Sequence, residues 1–167
     1  MNLRRFNLVL LVLGLALGAI LAVLLTRGSE ALPGQTEAEK KSQLYVDVSR
    51  AATAQVQAFL GVDHENVDAQ AQAVLDGATG DFKEQYEAEL DNILESAREQ
   101  ESTAVPSVLE VGISDIDTST ATVFVAANTQ VTSKATKGET KTVPWRIQLD
   151  MVMEGGRWLT SGLQFVG

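Results

Sequence analysis

The chain has 167 residues, of which 22 are acidic, 13 are basic and none is cysteine. Its net charge of −9 repels phosphate backbones and anionic headgroups, so no nucleic-acid function is expected. The lack of cysteine excludes disulfides, a thiol nucleophile and a lipoprotein anchor.

Residues 1–7 carry Arg4 and Arg5 and precede Leu8–Leu25, a run without a single charged or hydrogen-bonding side chain. A helix of that length covers roughly 27 Å, close to the hydrocarbon thickness of a bilayer, and only a helix satisfies its own backbone polar groups there. Basic residues favour the cytoplasmic side of a span, and only Arg27 follows closely. The expected layout is therefore a cytoplasmic N-terminus (1–7), a transmembrane signal-anchor (8–26), a linker (27–35) and an exported domain (36–167) in a single-pass plasma-membrane protein. Ser29-Glu30-Ala31 would suit signal cleavage, but the apolar run exceeds the usual signal-peptide core, which favours a retained anchor. Gly14, Gly18 and Ala22 share one helix stripe on which a second membrane helix could pack closely; such residues are common in spans, so chance spacing is the weightier reading.

Beyond Arg27 the chain holds 10 basic against 22 acidic residues, a charge of −12 that suits a soluble surface. Thr36-Glu37-Ala38-Glu39 has capping-box spacing and predicts a helix start. Leu44, Val48, Ala52 and Val56, with Phe59 and Leu60, form its apolar stripe up to Gly61. Val67, Ala71, Val74 and Leu75 predict a shorter helix stopping at Gly77. Asp81-Phe82-Lys83-Glu84 repeats the capping-box spacing, and Phe82, Tyr86, Leu90, Ile93, Leu94 and Ala97 give a third stripe.

From Ser102 the period becomes two. Four strands are predicted: one through Val111 and Ile113, one over Ala121–Val131, one over Trp145–Met153 and one over Trp158–Val166. Pro106 belongs at an edge or strand start, because it has no N–H for a ladder. Ile116–Ser119 reads as a turn, Ser133–Thr140 as a long flexible loop, and Glu154-Gly155-Gly156-Arg157 as a tight hairpin. Three helices before an antiparallel meander imply an α+β fold with helices on one face of a curved sheet.

The single span, the Ala-rich helices, Val123–Lys134 (VFVAANTQVTSK) and Trp145–Leu159 (WRIQLDMVMEGGRWL) together resemble the Mce-associated membrane proteins of actinobacteria. The most specific parts are Asn128, Gln130, Thr132 and the Gly156-Arg157-Trp158 corner. The resemblance implies an NTF2-like cone, three helices packed on a curved four-stranded sheet. It also implies an accessory role beside Mce systems, which import lipids or sterols across the envelope. Expected partners are the membrane, other envelope proteins, a lipid or sterol, and a further copy of the chain. The resemblance supplies no catalytic residue. A VirB8-like structural part of a secretion channel shares this anchor-plus-cone plan, and a small hydrophobic-ligand binder or isomerase is the third reading.

No catalytic residue, metal ligand or cofactor is expected from the residues themselves. His64, between Asp63 and Glu65, is the only histidine and reads as part of a helix-start turn. Isomerase cones pair an interior carboxylate with an oxyanion donor. Asp150 alternates with Leu149 and Met151, so it should point away from the helices, and Tyr86 falls within a core stripe. Phe59, Tyr86, Trp145, Leu149 and Met151 are the candidates to line an apolar hollow, although their regular periods favour plain core packing.

Overall fold

The computed structural model describes residues 36–167. The predicted span, its Gly14, Gly18 and Ala22 stripe and most of the linker lie outside them. Among the described residues no helix is long and apolar enough to cross a membrane. Lys41–Gly167 forms one structural unit, and the residues up to Lys40 belong to another.

Helix α1 runs Glu37–Leu60. Its start is the reciprocal cap read from the sequence: the Glu39 N–H donates to Thr36 Oγ1 at 3.2 Å and the Thr36 N–H to Glu39 Oε2 at 2.7 Å. Val48, Ala52, Val56 and Leu60 are buried at four-residue intervals, so the predicted stripe faces the core.

Strand β1, Val62–Asp63, follows at once. It corrects the expected four-stranded sheet to five strands. Two residues carry no readable period, and this strand exists only through its partner: Val62 pairs with Ala104, and the His64 N–H donates to Ser102 O at 3.1 Å. Helices α2 (Val67–Asp76) and α3 (Gly80–Glu99) come next. The capping box expected at Asp81–Glu84 does not form, because α3 begins earlier, with Thr79 at its N-cap. Thr79 is held by the sheet instead. Its N–H donates to Thr160 O at 2.8 Å, and the Thr160 N–H returns a bond to Gly77 O at 2.8 Å. Gly77 is a close approach as well as a stop, since a Cβ there would collide with Gln55 Oε1.

Strands β2 (Thr103–Ile116), β3 (Thr120–Thr132), β4 (Lys141–Glu154) and β5 (Arg157–Phe165) complete an antiparallel sheet in the order β1-β2-β3-β4-β5. Past Ala104 that edge of β2 has no strand partner among the described residues, and Pro106 lies there, as its missing N–H requires. Register shifts at Leu109 and Ser114 in β2, and at Ser161 in β5, mark bulges, which bend strands and increase twist. Gly155 (φ +56°) and Gly156 (φ +79°) form the predicted two-residue turn. The Ser133–Thr140 segment is tied locally rather than loose: the Ser133 N–H donates to Thr136 Oγ1 at 3.0 Å and the Gly138 N–H to Ser133 O at 3.1 Å.

The core lies between α1 and the inner face of β3 and β4. Val123, Val125, Ala127, Ile147, Leu149 and Met151 are buried there against Val48, Ala52 and Val56. Leu149 and Ile147 are wholly enclosed. Leu149→Ala should therefore cost about 3 kcal/mol, read from urea unfolding of a fragment beginning at Thr36. A loss near zero would mean that this strand does not hold the core.

The β2–β3 turn is closed by one carboxylate. Asp117 Oδ1 accepts from the N–H groups of Ser119 and Thr120, each at 2.7 Å, which lowers the Asp117 pKa from 3.8 to about 2. A depressed carboxylate stabilises the turn above its unfolded pKa and loses that contribution as the pH falls through about 2. The amide proton shifts of Ser119 and Thr120 should titrate with that low midpoint. A midpoint near about 4 would show an unbonded carboxylate.

Candidate functional site

The residues expected to line a hollow separate into two groups. Leu149 and Met151 are enclosed in the core between sheet and α1, so they are packing residues, as their regular periods favoured, and do not line a hollow. Phe59, Tyr86 and Trp145 are only half-buried, and the fold brings them together with two further rings, Phe82 and Phe165. Phe59 on α1 is central. Its ring centroid lies 5.8 Å from Phe82, 6.3 Å from Tyr86 and 6.2 Å from Phe165. Phe165 continues the row to Trp145 at 5.1 Å. These spacings fall in the range of favourable edge and offset contacts. The rings satisfy one another, and the row joins α1, α3, β4 and β5.

Polar groups in this row are few. The Trp145 indole Nε1–H donates to Thr129 Oγ1 at 2.9 Å. Burial raises the Tyr86 phenol above its ordinary pKa of 10.0, so it stays neutral. Among the described residues no carboxylate is hydrogen-bonded to either ring. Asp150 pairs with Thr122 and Gly162 and alternates with buried Leu149 and Met151, so it lies on the outer face as expected. It accepts weakly from Thr122 Oγ1 at 3.4 Å and Gln148 Nε2 at 3.3 Å. It also shares a polar cleft of about 350 Å³ with Asp81, Gln85 and Ser161 at the β5 edge. Neither carboxylate there reaches the apolar interior. His64 is half-buried, and its backbone N–H serves β1. Among the described residues no group of three His, Cys, Asp or Glu side chains is placed to hold a metal ion.

Sequence reading found Phe59, Tyr86 and Trp145 but not Phe165. Its signal was weak, because the bulge at Ser161 shifts the alternation of β5. Only the pairing of Phe165 with Ile147 puts it on the inner face.

The outer sheet face carries a second feature. Glu110, Gly112, Phe124, Ala126, Arg146 and Val166 line a groove of about 270 Å³. Phe124 is 41% exposed on this face.

The family described as "Uncharacterized protein Rv1363c/MT1408-like" matches residues 7–167. The chain belongs to that family. No curated protein matches it in sequence. Among solved structures, the cone is similar to an IcmL-like type IV secretion system protein from Legionella pneumophila, with a TM-score of 0.59 at 10% identity over 72% of this chain and 91% of that one. It is similar to CagV, a VirB8 homolog of the type IV secretion system of Helicobacter pylori, with a TM-score of 0.58 at 8% identity over 72% and 97% of the two chains. The periplasmic domain of DotI gives a TM-score of 0.59 at 11% identity over 81% and 99%. At these identities the likeness is one of fold. The Rv1363c/MT1408-like chain has the NTF2-like, VirB8-like α+β architecture: three helices on an antiparallel sheet, with five strands where four were expected.

Thr129→Val tests the polar link at the aromatic row. Removing the acceptor leaves the Trp145 N–H unpaired and should cost about 1–2 kcal/mol in urea unfolding of the fragment beginning at Thr36. An unchanged midpoint would mean that water replaces Thr129 without loss.

Proposed function

We propose that this chain is a non-catalytic accessory protein of the cell envelope that assembles with, or stabilises, an Mce-type lipid or sterol import complex. The apolar run at Leu8–Leu25 would hold it in the plasma membrane with residues 1–7 inside and the acidic cone outside. The observation that carries the non-catalytic part is the filling of the cone. Val48, Val56, Val123, Ile147 and Leu149 close its core, and the aromatic row packs ring on ring. Asp150, the carboxylate nearest to the role of an interior base, stands on the outer face. That placement also weighs against the isomerase reading. The Mce part rests on the ordered resemblance of Val123–Lys134 and Trp145–Leu159 to the Mce-associated proteins.

A second reading is favoured by the fold neighbours. The IcmL-like protein and CagV belong to type IV secretion systems by description, and DotI is described by its periplasmic domain. A structural subunit of a secretion channel would use the same anchor and cone. Both readings need protein partners in the envelope.

Affinity purification of the full chain from gently solubilised membranes separates the two. Recovery of Mce subunits supports the first reading, and secretion ATPases support the second. Protease added to spheroplasts should digest the C-terminal domain while leaving a cytosolic marker whole. Protection of residues 36–167 would overturn the export reading and both roles with it.

A further inference from the structure

We draw no further inference here: the strongest candidate, the apolar groove on the outer sheet face lined by Glu110, Gly112, Phe124, Ala126 and Arg146, carries nothing because nothing in the structure shows what covers it.

Discussion

The structure depends on the burial of one helical stripe against two strands. Val48, Ala52, Val56 and Leu60 rise along α1 at four-residue steps and meet alternate residues of β3 and β4. The small Ala52 and Ala127 and the larger Ile147, Leu149 and Met151 are buried together in that contact. Each large buried side chain contributes about 1.5–3 kcal/mol relative to an exposed one, so the stripe outweighs any of the described ion pairs. The four described salt bridges are all at the surface, where such pairs contribute about 0–1 kcal/mol. Bulges in β2 and β5 let the sheet curve around the helix, and the α2–α3 turn closes on β5 through Gly77 and Thr79. That turn also covers part of an edge strand that would otherwise present free backbone groups.

This way of filling the cone bears on what the domain does. A cone can enclose a ligand only where side chains leave room, and here the half-buried rings of Phe59, Tyr86 and Trp145 lean on one another and on the exposed ring of Phe165. The described carboxylates lie elsewhere, among them Asp81 and Asp150 at the β5 edge, Glu110 on the outer sheet face and Asp117 in the β2–β3 turn. The acidic excess thus lies at the surface of the domain. The outer sheet face combines an exposed ring at Phe124, the gap at Gly112 and charged side chains of both signs.

Regular periods made much of the fold legible. The stripe of α1 and the alternation of β3 and β4 were readable because each repeats over many residues and faces one environment throughout. The Gly155-Gly156 turn was readable because its backbone geometry demands residues that tolerate positive φ. Strand β1 was not legible, since two residues have no period and owe their conformation to Ala104 and Thr103. The start of α3 was misread because its apparent cap at Asp81 was displaced by hydrogen bonds to β5, whose position the local sequence does not encode.

The sequence by itself determined the class of fold, the order of its elements and the residues that must leave water, because these follow from local periodicity and side-chain chemistry. It also named Asp150 as an outward residue and Phe59, Tyr86 and Trp145 as members of one apolar set. Only the tertiary structure separated the enclosed Leu149 and Met151 from the half-buried Phe59, Tyr86 and Trp145 and brought Phe165 into the aromatic row. It alone aligned Glu110, Ala126 and Arg146 across three strands. The reason is register: which residue lies beside which depends on bulges and strand pairing, and a shift of one residue sends a side chain to the opposite face.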